Sequence, residues 1–502
     1  MFRNWKCMLI NAFMSIGVML VSICSIYPAT PDEDFAFAVK LYQNGEYELA
    51  AEEFDKFAKA YPDDDRVPEA LAALGDCYFR LKRYDDAAKA FQRAAQIARE
   101  RGKDKVASRA TYWVAEAYYQ LQRYDDAINW YQQVLQRYPK GNEAPYALYS
   151  IGLAYRDKQQ PQKALPFFQR VVNEFPESDV APTCQWLIGE CYFDLKRLHD
   201  AERAYQQVIQ RYPKSKEVAD ARAGLAWVKF EQKQYEEAAR RFAEVARLHP
   251  DTPAGKEAIV RQADCYFNLK RYDQALELYR QVAQQKQHPY ADHAIYWSGE
   301  CLSRLKQYQN AATQFLLLIR TKPRSPYIAR AYAALADAYM AMGRYGEAVQ
   351  ALNVALKGTK DAKQLTLLKC ALAECLMKQK KFDEAVQIVQ ELVTTAPKDT
   401  RVQAVVATLI AELMRGGKIE VVQPLLAKFN FSGAVADQIA STIFDAGKPH
   451  TIARTTQRRT ACISCCWNTS RKVTSHQQDY LHSARCITRR RNLKMLPMPT
   501  GS

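Results

Sequence analysis

Hydrophobic and polar positions along this chain repeat with one long period. The stretch Ala115–Pro139, AEAYYQLQRYDDAINWYQQVLQRYP, shows the unit most clearly. Its apolar residues recur at three- and four-residue steps, which predicts a pair of amphipathic helices, here called A and B. Aligning every copy on Tyr124 gives anchors at Tyr47, Tyr84, Tyr124, Pro161, Leu198, Tyr235, Tyr272, Tyr308, Tyr345, Phe382 and Ile419, spaced by 37 residues except for one step of 40 and one of 36. Three residues after the anchor stands alanine in all copies but the last, from Ala50 to Ala385. Seven after it comes an aromatic or aliphatic residue: Phe54, Phe91, Tyr131, Phe168, Tyr205, Phe242, Tyr279, Phe315, Leu352, Val389 and Leu426. These two positions share one face of helix B and predict the packing seam. Nine residues before the anchor is a small residue in most copies, such as Gly75, Ala115, Gly152, Gly189 and Gly299, so a small residue on helix A is expected to interlock with a large one on helix B.

Most copies close on an X-Pro step, among them Tyr61-Pro62, Tyr138-Pro139, Phe175-Pro176 and Tyr212-Pro213. Proline lacks the N–H and disfavours helical geometry in the residue before it, so each step ends a helix. The period, the alanine and the aromatic seam resemble the tetratricopeptide repeat (TPR) family. That resemblance implies an all-α, right-handed superhelical solenoid of about eleven helix-turn-helix repeats. The runs YALYSIGLAYRD, APTCQWLIGECYFD and RYPKSKEVADARAGLAW resemble more particularly the periplasmic TPR proteins of Gram-negative envelopes, of the Tol-Pal-associated coordinator and outer-membrane assembly lipoprotein type.

Length and charge then divide the chain. An array of this kind is quasi-one-dimensional, each repeat burying its face on its neighbours, so the solenoid is expected to run over 30–448, with eleven repeats and a partial twelfth. Residues 1–29 open with Arg3 and Lys6, continue through an apolar run and turn acidic at Asp32, the pattern of a signal peptide or of an uncleaved membrane anchor. Val21-Ser22-Ile23-Cys24 is a degraded lipoprotein box, which makes lipidation of Cys24 an alternative. The net charge is +16, of which the tail 449–502 supplies +9, with ten Lys/Arg against the single acid Asp479. This tail has no period and reads as disordered or frameshifted. Of the thirteen cysteines, Cys77, Cys191, Cys265, Cys301 and Cys375 occupy one equivalent repeat position and read as small core residues.

The array leaves little room for catalysis. It contains no phosphate-cradling glycine loop, no HExxH and no nucleophile elbow. No catalytic residue, cofactor or metal site is assigned; the tail spacing Cys462-x2-Cys465-Cys466 with His476, His482 and Cys486 is the sole formal zinc set. The readable signal is on helix A, which the resemblance places along a concave groove. Positions eight, five and four residues before the anchor supply the candidate partner-binding residues: Asp76, Glu116, Asp157, Glu190, Asp194, Glu231 and Asp264, with the aromatics Tyr119, Phe193, Phe230 and Phe267. Acids interleaved with rings suit a peptide carrying Lys or Arg, through ion pairing and cation–π contact. The expectation is a non-enzymatic, exported scaffold of the cell envelope that binds protein or peptide partners with basic segments, with no nucleic acid expected; the alternative is a nucleic-acid-binding helical-repeat protein using the basic tail. Membrane attachment would run through the N-terminal segment.

Overall fold

A computed structural model of the chain describes residues 30–415, apart from Lys286 and Lys398. The leader, the eleventh anchor Ile419, the partial twelfth repeat and the tail lie outside the described residues. Those described form 21 helices and no strand. They fall into two compact units, one ending at Arg271 and the other beginning at Tyr272. The division falls inside the seventh repeat, where the sequence offers no linker.

The first unit holds α1 (Pro31–Gln43), α2 (Tyr47–Ala60), α3 (Val67–Arg80), α4 (Tyr84–Glu100), α5 (Asp104–Gln120), α6 (Tyr124–Arg137) and α7 (Ala144–Asp157). It continues with α8 (Pro161–Glu174), α9 (Ala181–Asp194), α10 (Leu198–Arg211), α11 (Glu217–Glu231), α12 (Tyr235–Leu248) and α13 (Pro253–Asn268). The second unit holds α14 (Tyr272–Ala283), α15 (Ala291–Arg304), α16 (Tyr308–Thr321), α17 (Ile328–Ala341), α18 (Tyr345–Gly358), α19 (Ala362–Lys378), α20 (Phe382–Thr395) and α21 (Thr400–Arg415). Within each unit every helix packs on the next, and successive A helices also touch, as α9 on α11 and α19 on α21. The anchor begins helix B in every described repeat, as the period predicts.

The turn between helix A and helix B has one geometry throughout. Lys82 stands at φ 60°, and Gln122, Gln159, Lys196, Lys233, Lys270, Lys306 and Lys380 adopt the same left-handed conformation, while Gly45 and Gly343 fill the equivalent place in two repeats. The Arg83 N–H donates to the Tyr78 carbonyl at 2.8 Å and the Lys82 N–H to that of Phe79 at 3.0 Å. This paired arrangement satisfies the carbonyls left over at the end of helix A and turns the chain sharply back.

The interlock between helices is a ring against a bare backbone. A methyl placed on Gly152 would lie 2.4 Å from the Phe168 ring, and one on Gly189 would lie 2.5 Å from that of Tyr205. Gly75 meets Phe91 and Gly299 meets Phe315 in the same way. The ring position is sealed: Phe54, Phe91, Tyr131, Phe168, Tyr205, Phe242, Tyr279 and Phe315 are all at most 2 % exposed. Pro68, Pro145 and Pro182 stand in the first turn of their A helices, where a missing N–H costs nothing. The seven described cysteines are buried, in keeping with a packing role.

Candidate partner-binding face

Helix A of each repeat ends four residues before the anchor. In three consecutive repeats that last residue is an acid, namely Asp157 closing α7, Asp194 closing α9 and Glu231 closing α11. A helix C-terminus carries partial negative charge, so each carboxylate sits where the backbone disfavours it by about 0.3–1 kcal/mol. Other repeats follow the electrostatic rule at this place, with Arg80, Arg304 and Lys378. The acids are therefore present for a reason other than helix stability.

Each of the three is held from the preceding repeat. The Tyr119 hydroxyl donates to Asp157 at 2.5 Å, Arg156 Nη2 lies 3.9 Å from Asp194, and Lys196 Nζ lies 3.2 Å from Glu231. The contacts link repeats three to six along one face. They leave Asp157 and Asp194 exposed and Glu231 half-buried. Tyr119 stands edge-on to Tyr124 with centroids 5.4 Å apart, and Phe267 is half-buried. Asp76 differs, since Arg80 Nε lies 2.7 Å away, the Tyr42 hydroxyl donates to the same carboxylate, and the Arg80 guanidinium lies over Tyr42 and Tyr47.

Five of the expected groove residues are corrected by their burial. Glu116 is 2 % exposed, accepting from the Tyr131 hydroxyl and, at 3.1 Å, from Ser150 Oγ. Burial pushes its carboxyl above the usual range, against the opposing pull of the Tyr131, Tyr112 and Ser150 hydroxyls. Glu190 is likewise 2 % exposed and accepts from the Tyr205 hydroxyl. Phe193 and Phe230 are each 1 % exposed, the latter edge-on to Trp227 and Tyr235. Asp264 is fully buried, with Arg261 Nη1 at 2.8 Å, and Arg261 also places Nε 2.9 Å from Glu257 while lying over Trp227. These side chains belong to the packing between helices A and B.

Part of the signal is present in the sequence. Where the seam residue seven after the anchor is tyrosine, as Tyr131, Tyr205 and Tyr279, the residue eight before the anchor is Glu116, Glu190 or Asp264; phenylalanine seams carry an apolar residue there, as Val39 with Phe54 and Leu153 with Phe168, or an acid, as Asp76 with Phe91 and Glu300 with Phe315. A phenol on the seam calls for an acceptor across from it. Asp264 has its own sequence signal in Arg261, which lies three residues before it on the same helix.

Both units are helical-repeat stacks of the kind that present extended faces, which places the chain among solenoid proteins. It belongs to the tetratricopeptide repeat proteins: the family's sequence pattern matches residues 35–101, 106–173, 182–251, 229–297 and 340–409, together more than half of the chain. Among solved structures, the chain is similar to a tetratricopeptide repeat protein from Parabacteroides merdae, at 14 % identity and a TM-score of 0.38, over 53 % of this chain and 98 % of that one. The APC/C hetero-tetramer Cut9–Hcn1 gives 14 % identity and a TM-score of 0.35 over 77 % and 98 %, and the TPR domain of P58(IPK) gives 15 % and 0.27 over 78 % and 100 %. No curated protein sequence matches the chain.

Proposed function

We propose that this chain is a non-enzymatic interaction scaffold of the cell envelope whose helix-A face, centred on Asp157, Asp194 and Glu231, binds partner proteins through segments rich in Lys or Arg. The carrying observation is the row of three carboxylates at successive helix C-termini, held in place by Tyr119, Arg156 and Lys196. Acids kept against the helix dipole in three repeats running, with Asp157 and Asp194 still exposed beside their partners, support a role in receiving a cation from a partner protein. Export is supported by the apolar N-terminal run, which would bring the array to the envelope.

The test neutralises the row as Asp157→Asn, Asp194→Asn and Glu231→Gln together. Removing anions from helix ends keeps the fold and leaves thermal stability equal or slightly higher. A pull-down from envelope extract with the wild type recovers basic partners, and the triple variant loses them. Recovery of the same partners by both proteins overturns the assignment of this face.

A further inference from the structure

The second unit carries a surface of a different kind, on its B helices. Residues five, eight, nine and twelve after the anchor share one side of helix B. On α16 they are Thr313, Leu316, Leu317 and Arg320, and on α18 they are Gln350, Asn353, Val354 and Lys357. All eight are exposed, the apolar ones to 38 % at Leu316, 42 % at Leu317 and 54 % at Val354. The B helices on either side read differently. The same places on α14 hold Glu277, Arg280, Gln281 and Gln284, and on α20 Gln387, Gln390, Glu391 and Thr394, with an acid in each and no aliphatic residue.

Leu317 and Val354 depart from the whole array. Nine residues after the anchor every other repeat carries a polar or charged side chain, from Lys56 to Lys428, with glutamine at Gln133, Gln207 and Gln281. The place of Leu316 is glutamine in five repeats, as at Gln132 and Gln206. Three aliphatic side chains left facing water at matching places of two successive repeats mark a contact surface.

Charge indicates what it contacts. The chain holds no acid from Tyr308 to Arg330, nor from Ala348 to Lys360. Arg320 and Lys357 lie on the row, and Arg324 and Lys360 follow in the turns just beyond it; all four are exposed, with no carboxylate partner among the described residues. Two acids beside these turns are engaged elsewhere: Asp361 caps α19 by accepting from the Gln364 N–H at 2.8 Å, and Asp292 accepts from Ser325 Oγ at 2.7 Å. We propose that this face of α16 and α18 lies on an anionic membrane surface. Leu316, Leu317 and Val354 enter the boundary between headgroups and acyl chains, and the four bases pair with lipid phosphates. A bilayer surface takes aliphatic side chains and bases together. A purely acidic ligand would engage the bases and leave the aliphatic residues in water.

The test is co-sedimentation of the full chain with vesicles of phosphatidylethanolamine and phosphatidylglycerol, set against vesicles of phosphatidylcholine alone. The expected result is binding to the anionic vesicles and weaker binding to the neutral ones. Two variants dissect it: Leu316→Gln/Leu317→Gln/Val354→Gln removes the aliphatic residues, and Arg320→Gln/Lys357→Gln removes two bases. Each substitution installs the glutamine that other repeats carry at that place, such as Gln132, Gln133 and Gln136, so the fold is kept, as thermal melting will check. The charge variant binds anionic vesicles more weakly by about fivefold for each base removed, and the aliphatic variant by about tenfold or more. The apolar leader and the basic tail are present in every sample, so vesicle binding that both variants retain in full comes from those segments and overturns the proposal. No binding by the wild type, equal binding to neutral vesicles, or weakening in the charge variant alone, which marks a purely acidic ligand, overturns it as well. The acidic row of the first unit takes no part in this assay, so the outcome is independent of the partner binding proposed above.

Discussion

Replacing Tyr131 by phenylalanine takes one hydroxyl from a sealed site and leaves the ring. The perturbation is sterically pre-tested, because Phe54, Phe91 and Phe168 occupy the same seam position in other repeats. What is lost is the donor to Glu116, a carboxyl 2 % exposed with Ser150 Oγ as its other close donor. A hydrogen bond to a charged buried group contributes about 2 kcal/mol, which in a unit of this size lowers the melting temperature by about 4–8 °C. Glu116→Leu costs a similar amount, since it strands the Tyr131 hydroxyl. The double variant Tyr131→Phe/Glu116→Leu recreates the Leu153/Phe168 arrangement of the following repeat and is expected to fall within about 1 kcal/mol of the wild type, because removing both partners avoids the unpaired polar group. Calorimetry gives the global effect, and hydrogen exchange on α5 to α7 localises it, since repeat arrays need not unfold in one step. A double variant as unstable as the sum of the two singles refutes the pairing.

The same carboxyl carries a pH signature. Its native pKa is raised, so the folded chain holds this proton to higher pH than the unfolded chain does. The cost is absent below about pH 4.3, the ordinary glutamate value, and grows as pH rises through the raised native value. Glu116→Gln therefore gives no gain at pH 4 and a higher melting temperature at pH 8. Equal effects at both pH values refute the assignment. Asp220 is pushed up to about 6 by burial first and then by the Glu217 and Glu257 carboxylates, so Asp220→Asn stabilises above pH 6 and not at pH 4, as thermal melts across that range will show. Gly152→Ala brings a methyl to within 2.4 Å of the Phe168 ring, and the overpacking costs about 1–3 kcal/mol by denaturant titration. Lys82→Gly relieves a left-handed backbone at φ 60° and, after the entropy of glycine is deducted, raises stability by about 0.5 kcal/mol.

The period made the fold legible. Each anchor from Tyr47 to Phe382 opens a helix, and the X-Pro steps at Tyr138 and Tyr212 close one, because those positions carry local rules that neighbouring repeats do not alter. The pairing of Gly152 with Phe168 was equally readable, being a fixed offset within one repeat. The site was harder to read. Glu116 and Asp157 are both acids on helix A, eight and four residues before their anchors, and what places Glu116 inside is the hydroxyl of Tyr131 on helix B. The division at Arg271 has no compositional mark at all.

The buried cysteines have a consequence for watching this molecule open. Cys77, Cys184, Cys191, Cys265, Cys301, Cys370 and Cys375 each show no accessible surface, and burial pushes the thiols of Cys77, Cys191, Cys370 and Cys375 up to about 12. An alkylating reagent reaches none of them in the closed array, since the reactive species is an exposed thiolate. The seven sulfurs are distributed over five repeats of the two units, with no engineering required. Each acts as a clock that starts when its own helix pair separates. Peptide mapping after timed alkylation would rank the repeats by the free energy of local opening, and show whether the array frays from its ends or parts in the middle.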